Sequence, residues 1–370
     1  MLETLNNDCW LEINKYLSLD DQIALYEAFK GISNNLMYDV AFAWEHQRCF
    51  SLDPDCYEKF EEMPELLDIF LSSIKATQEL QLHWVTLEFL RLWENYTFPS
   101  MKTLEYTLDE DWSVKPYGGF ECSTLVKFTQ LRQLDLSDWT MDYLPYHCPE
   151  ELATCPLIEK LIIPIFLYFP EVYEGIMALP KMHTVSFYLN GQDDILAAML
   201  EKRGNDVQKM IFNHCIWKFS VPTFHKLRNL RQLTLLNENR LKPDKLLKVI
   251  ANLKQLEQLD LINYQMILCE AALWQTVDCC PSLKILNISN MYLKKDFYDV
   301  NRCVMEKTLS NRSRDLRLNC HNTGENEKLM RQLFKHPRLK LSFEPLKRYD
   351  IDKSMIQMHF KPSSQICDNF

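Results

Sequence analysis

Leu131-Arg132-Gln133-Leu134-Asp135-Leu136 is one copy of a phrase that recurs along the chain. It returns at Leu230, Leu233 and Leu235, at Leu256, Leu259 and Leu261, and at Leu283, Leu286 and Ile288. The first, fourth and sixth positions are apolar. The last two of these alternate with their neighbours, as a strand buried on one face requires. With the middle apolar residue as marker, weaker copies extend the series. It then runs Leu80, Leu104, Leu134, Leu161, Val185, Met210, Leu233, Leu259, Leu286, Leu316 and Leu339, at spacings of 23 to 30 residues.

Helical patterns lie between the markers. Residues 192–203 place Ile195, Ala198, Met199 and Lys202 on one face, with Gly204 as the expected stop. Residues 242–253 carry Pro243 where a first helical turn tolerates it, then Leu246, Leu247 and Ile250. A unit of one strand and one helix cannot bury its own apolar face, whereas stacked units share a continuous core. The period is close to the roughly 20–29 residues of leucine-rich repeats. The expected fold is therefore α/β: a leucine-rich-repeat solenoid, a horseshoe with parallel strands on its concave side and helices on its convex side. About 10–11 repeats are expected over residues 80–343. Asn190 and Cys215 stand where such repeats usually place Asn or Cys after the strand, but Asn237, Asn263 and Asn290 come one residue early. Irregular loops, or a marker register that slips, are expected there.

Composition sets further bounds. The chain has 370 residues, 47% of them apolar, and only 7 glycines, so neither disorder nor a glycine-rich low-complexity character is expected. No stretch has the length and apolarity of a membrane span, and Glu3, Asp8 and Glu12 replace the basic start of a secretory signal. The 13 cysteines include no Cys-x-x-Cys pair and are expected as free, often buried thiols. Residues 1–115 hold 22 acidic and 8 basic side chains, net −14; the whole chain is −10, which leaves +4 for the remainder. Such asymmetry suggests two surfaces with different partners.

Three short helices are expected over residues 1–44. Asn7 or Asp8 can cap the first, which carries Trp10, Ile13 and Leu17 on one face; Asp20 or Asp21 can cap the second, and Gly31 ends it; the third begins near Ser33. The string Leu5-Asn6-Asn7-Asp8 followed by Leu11, Ile13, Tyr16-Leu17-Ser18-Leu19-Asp20-Asp21-Gln22 and Leu25 resembles the F-box. It departs from that family at Asn6, where Pro is usual, and at its end, Phe29-Lys30-Gly31-Ile32. An F-box followed by leucine-rich repeats is itself a known domain order. The resemblance implies docking on the adaptor subunit of an SCF-type ubiquitin ligase and, through it, on a cullin. By that resemblance Leu5, Ile13, Leu17, Leu19, Leu25 and Phe29 are candidate adaptor contacts, some of which must instead form the unit's own core.

Residues 45–79 read as a linker with entry helices. Asp53-Pro54-Asp55 marks a turn, and Leu66, Leu67, Phe70, Leu71 and Ile74 form an apolar helical stripe. Residues 109–120 form a loop-like insertion. Residues 344–370 lie beyond the last marker and read as a cap or tail.

No phosphate-binding loop, His-Glu-x-x-His or nucleophile elbow occurs, and the nine histidines are scattered. An enzyme, a cofactor and a metal site are therefore not expected. A protein-binding surface remains. Strand residues flanking the buried leucines should face the concave side: Glu79, Gln81, His83, Thr103, Glu105, Thr107, Gln133, Asp135 and Ser137 first. Ile162, Tyr188, Ile211, Leu236, Asp260, Ile262 and Asn287 follow, then Asp315, Arg317, Asn319, Arg338, Lys340 and Ser342. The groove would run from acidic through apolar to mildly basic, unless helices or loops cover its centre. Residues 293–353 hold 15 basic and 9 acidic side chains, without the aromatic interleaving of a nucleic-acid surface. The expectation is a substrate-recognition subunit that holds an unknown protein, in the cytoplasm or nucleus, with no membrane or nucleic-acid partner. The alternative is a repeat scaffold with no ligase.

Overall fold

The computed structural model describes residues 5–108, 122–136, 152–163, 170–188, 193–213, 221–237, 243–263, 270–291, 293, 295–324, 327–346, 349, 351 and 355–361. The expected insertion at 109–120, Asn190 and Cys215 lie outside them. The chain forms two compact units: Met1–Leu167 with Leu179–Met182, and Tyr168–Ala178 with His183–Phe370. Each is an α/β leucine-rich-repeat stack.

The first unit opens with α1 (Asn7–Asn14), α2 (Leu19–Phe29) and α3 (Asn34–His46). Their caps stand just outside the positions expected. Asn6 Oδ1 accepts from the Cys9 amide at 2.9 Å, and Ser18 Oγ accepts from the Asp21 amide at 3.1 Å. A cap must sit outside the helix with an extended backbone to reach back to an orphan amide, so Asn7, Asp8, Asp20 and Asp21 fall within the first turns instead. Gly31 follows α2 at φ +83°, the left-handed stop that glycine adopts without strain.

One polar side chain ties these helices together. Gln22 is fully buried. Its Oε1 accepts from Trp44 Nε1 at 2.7 Å, while its Nε2 donates to Asn14 O at 3.0 Å and Leu17 O at 3.1 Å. Asn14 ends α1 and Leu17 lies in the turn after it, so Gln22 adds a donor where the helix's own i+4 donors run out. Around this hub, Trp10 meets Phe29 edge-on at 5.7 Å, and Trp44 meets Phe70 edge-on at 5.4 Å.

Phe70 belongs to α5 (Pro64–Ser73), which follows α4 (Pro54–Glu62). The expected turn at Asp53-Pro54 is a helix start: Asp53 Oδ1 accepts from the Cys56 amide at 3.1 Å, and Pro54 occupies the first turn. Proline's fixed φ and missing N–H suit that position. Ahead of these helices, β1 (Cys49–Leu52) pairs in parallel with β2 (Glu79–Val85), Phe50 opposite Leu80 and Leu52 opposite Leu82. Residues 45–79 thus carry a repeat of their own. β3 (Thr103–Leu108), β4 (Gln133–Asp135) and β5 (Lys160–Ile163) continue the parallel sheet, with Leu80, Leu104, Leu134 and Leu161 in one column.

The second unit holds β6 (Thr184–Tyr188), β7 (Val207–Asn213), β8 (Gln232–Leu236), β9 (Gln258–Ile262), β10 (Ile285–Ser289), β11 (Leu316–Asn319), β12 (Leu339–Ser342) and β13 (Met355–Phe360). Met210, Leu233, Leu259 and Leu286 form the column here. The last two expected markers slip. Leu286 opposes Leu318, and Leu318 opposes Leu341, so Leu316 and Leu339 stand two residues early. A two-residue slip keeps every side chain on its face, which is why the apolar pattern does not reveal it.

Asn237, Asn263, Asn290 and Asn322 all leave their strands at φ 51° to 53°. Asn237 Nδ2 donates to Asn213 Oδ1, Asn263 Nδ2 to Asn237 Oδ1, and Asn322 Nδ2 to Asn290 Oδ1, each at 2.8 Å. The asparagines that looked one residue early therefore mark a regular turn. Asparagine is among the few non-glycine residues that enter the left-handed region readily. Cys155 and Cys280, each before a proline, also hold a repeated station: their thiols reach Leu125 O at 3.3 Å and Ile250 O at 3.7 Å, thirty residues earlier in each case.

The C-terminal stretch, expected as a cap or tail, enters the sheet interior. β13 lies antiparallel between β6 and β7, with Met358 opposite both Val185 and Met210. The alternation Ile356, Met358, Phe360, with half-exposed Gln357 and His359 between, suits such a strand.

Two substitutions test this packing. Gly204 does not supply a left-handed stop; it begins a short 3-10 turn (Gly204–Asp206), and a Cβ there would lie 2.9 Å from Lys226 O. Gly204→Ala is expected to lower stability by about 1–3 kcal/mol in urea unfolding, and an unchanged midpoint would refute the close approach. Gln22→Leu removes the acceptor of Trp44 Nε1 and a donor to two carbonyls. It should lose about 2 kcal/mol or more despite the added apolar surface, whereas a neutral or stabilised variant would deny Gln22 its tying role.

Candidate functional site

Three surfaces bear on binding. The first is the helical unit. Leu19 and Phe29, two of the six expected adaptor contacts, are 6% and 5% exposed and belong to its core with Ile23, Tyr26, Leu36, Val40 and Trp44. Ile13 is 36% exposed, and Leu5, Leu17 and Leu25 are half-buried. Helix α1 ends at Asn14, and the turn that follows is held by Tyr16 N to Ile13 O at 3.1 Å and Leu17 N to Asn14 O at 3.3 Å. It leaves Tyr16 87% exposed. Tyr16 was absent from the expected contacts although it lies within the F-box-like string; only its exposure singles it out. The outward apolar set of α1 and its exit turn is Ile13, Tyr16 and Leu17.

The second surface is the strand face of the first unit. Gln81, His83, Thr103, Glu105, Gln133, Asp135, Lys160 and Ile162 are half-buried there, and Glu79 is exposed. Gln81 Nε2 donates to Glu105 Oε2 at 2.9 Å, which orients both across neighbouring strands. Gln133, Asp135 and Ile162 thus lie half-buried on this strand face. Trp84 follows β2's Leu82 at φ 52°, at the register position that asparagine takes in the second unit. An exposed tryptophan held left-handed is a rare, strained arrangement. The side chain of Thr107, and Ser137, lie outside the described residues.

The third surface, the strand face of the second unit, departs from expectation. Ile211, Leu236, Asp260 and Asn287, expected to line an open groove, are buried at 2%, 7%, 0% and 4% exposure. Ile262 is half-buried, Arg317 is exposed, and the side chain of Tyr188 lies outside the described residues. Glu344, Tyr349 and Ile351, from between β12 and β13, bond to this face. Asn319 Nδ2 donates to Glu344 O at 3.0 Å, and Arg317 pairs with the Glu344 carboxylate at 2.7 Å. Tyr349 OH donates to Asp260 Oδ2 at 2.7 Å, and Asn213 Nδ2 donates to Ile351 O at 2.8 Å. The apolar and polar centre of the expected groove is occupied by the chain itself.

Asp260 is the polar centre of that cover. Besides Tyr349 it accepts from Gln232 Nε2 at 2.9 Å, Thr234 Oγ1 at 2.8 Å, Gln258 Nε2 at 2.9 Å and Asn287 Nδ2. A carboxylate this deeply buried survives only when saturated with donors. Burial, and next the Asp260 carboxylate, push the Tyr349 phenol well above its ordinary range, so it stays a donor. Lys209 Nζ lies 5.4 Å from the centre of the Tyr349 ring, and burial lowers its pKa against the pull of Asp260.

Reactive chemistry is less well represented. Burial pushes the thiols of Cys56, Cys280 and Cys320 up to about 12, so they remain protonated packing groups. Among the described residues no group of three His, Cys, Asp or Glu side chains could hold a metal ion. No described helix is long and apolar enough to cross a membrane.

No family model matches the chain, and no curated protein matches it. Among solved structures, an internalin from Listeria monocytogenes is similar at 14% sequence identity and a TM-score of 0.35, over 75% of this chain and 70% of that one. The fold assignment rests on the strand register: parallel strands, one per repeat, with one apolar column in each unit, are the leucine-rich-repeat fold.

Proposed function

We propose that the chain is the substrate-recognition subunit of an SCF-type ubiquitin ligase. The N-terminal helices dock on the adaptor subunit, and through it on a cullin. The repeat faces hold a substrate protein. Catalysis is by proximity: the subunit raises the effective concentration of substrate lysines near a ubiquitin-charged enzyme, and none of its own residues does chemistry. It works in the cytoplasm or nucleus, without nucleic acid or membrane.

The observation that carries this reading is the outward apolar set of exposed Ile13 and Tyr16 with half-buried Leu17, on a helical unit whose core is already closed by Trp10, Phe29 and Trp44. A helix serving only to cap a repeat stack would turn such residues inward. Its sequence context is the F-box-like string, and the accessible strand face of the first unit offers a place for a substrate. The alternative, a repeat scaffold with no ligase, draws on Asn6. That residue stands in place of the family's usual proline, and here it serves as the α1 cap.

Co-purification with the adaptor subunit decides between them. The full chain should capture the adaptor. Ile13→Asp and Leu17→Asp should each weaken capture by tenfold or more with circular dichroism unchanged, because a charge in an apolar contact loses the contact and stays unsolvated. Failure of the full chain to capture the adaptor would remove the ligase reading and leave the scaffold.

A further inference from the structure

β13 and the stretch before it occupy a site built to hold a peptide. In the second unit, neighbouring repeat strands pair directly in parallel from β7 to β12. β6 and β7 do not. Their markers Val185 and Met210 are 25 residues apart, an ordinary repeat spacing, yet a whole antiparallel strand stands between them. The gap is one strand wide, and both of its edges offer a complete backbone ladder. That is the geometry of strand addition, in which main-chain hydrogen bonds supply affinity and alternate side chains supply specificity.

Before the strand, the same chain is gripped in two ways. Asn319 and Asn213 read main-chain carbonyls, those of Glu344 and Ile351, which any extended peptide offers. Asp260 reads one side chain, the Tyr349 phenol, with Gln232 Nε2 donating to the phenol oxygen at 3.2 Å and Lys209 beside the ring. The apolar column of the repeats has no need of a buried carboxylate at that position. Ile211 and Thr234 stand at the equivalent places in β7 and β8. What Asp260 adds is selection of a hydroxyl donor.

We infer that this face of the second unit is a peptide-binding site whose resident ligand is the chain's own C-terminal stretch. The partner it takes is an extended segment that sets a tyrosine on Asp260 and, six or so residues on, an alternating apolar strand between β6 and β7. The inference deepens the recognition half of the proposed function and rests on it, but not on the adaptor. The resident stretch is tethered, so its effective concentration is on the order of millimolar and an equal peptide in trans is shut out. Substrate entry and release of β13 are then the same event. A phosphate on the tyrosine would face a buried carboxylate, so the site takes the unmodified phenol.

The test uses the full chain and a fluorescein-labelled synthetic peptide of residues 344–361, followed by fluorescence anisotropy. Met358→Asp in the full chain places a charge at a fully buried site between Val185 and Met210 and should eject β13. That variant is expected to bind the peptide and regain thermal stability from it, whereas the unaltered chain binds it at least tenfold more weakly. A peptide with Phe in place of Tyr349 should bind the variant about tenfold or more weakly, and one with phosphotyrosine should not bind. A folded Met358→Asp chain that ignores the peptide, or that takes the Tyr, Phe and phosphotyrosine peptides equally, overturns the inference. Should that variant fail to fold, full-length Tyr349→Phe replaces it: its resident stretch is held less tightly, so it should bind the tyrosine peptide about tenfold better than the unaltered chain, and equal binding overturns the inference. Lost peptide binding with adaptor capture intact rejects this site alone. Lost capture with peptide binding intact rejects the ligase reading and leaves the site standing.

Discussion

The structure depends on backbone pairing between repeats. A strand of three to seven residues has no stability of its own, and its leucines have nothing to pack on until the next repeat arrives. Parallel pairing meets both needs at once. Each ladder fixes the register that lines up Leu80, Leu104, Leu134 and Leu161 in one unit, and Met210, Leu233, Leu259 and Leu286 in the other. The side-chain details follow from that register. The left-handed asparagines bond to one another because equivalent turns are brought level, and the cysteine thiols find carbonyls of the preceding repeat for the same reason.

The same constraint explains what β13 does. A parallel strand presents a full row of donors and acceptors on each edge, and leaving two such edges apart inside a sheet would strand many polar groups. β13 satisfies both edges at once. Its approach, however, must run over a strand face whose residues would otherwise meet water. That accounts for the polar character of the buried layer beneath it: Asp260, Thr234, Asn287, Asn319 and Asn213 are buried polar side chains in a position where a closed core would carry leucine. They are tolerable because each is bonded to a neighbour or to the crossing segment.

The repeats were legible in the sequence because their signal is strong: period-two alternation, leucine at fixed stations and a spacing that recurs. Four markers stand in register in the first unit, and in the second four more do so, with Val185 joined to them through Met358. The slip at Leu316 and Leu339 was invisible because it is an even number of residues. β1 was missed because Phe50 and Leu52 give only a short alternation, with no leucine phrase before them. The stop at Gly204 was legible as a position but not as a cause, since close approach to Lys226 O is a tertiary fact. The site was legible only in part. Gln133, Asp135 and Ile162 lie on an accessible face. Ile211 and Leu236 also lie on the face expected for them, but nothing local in the sequence says that residues more than a hundred positions later lie across it. The alternation in Met355–Phe360 is a strand signal, but it belongs to no repeat and carries no leucine phrase to place it in the sheet.

The distribution of charge takes on a physical meaning once the faces are known. The accessible strand face of the first unit carries Glu79, Glu105 and Asp135 against Lys160, and the first two belong to residues 1–115, whose net charge is −14. The second unit keeps its one central carboxylate away from water and spends it on a phenol. An exposed acidic face acts at a distance and is weakened by salt. A buried carboxylate acts only on a partner that reaches it, and then with high selectivity, because the wrong group leaves it short of a donor. The two units therefore differ in kind: the first presents charge to water, and the second keeps Asp260 buried and bonded to Tyr349.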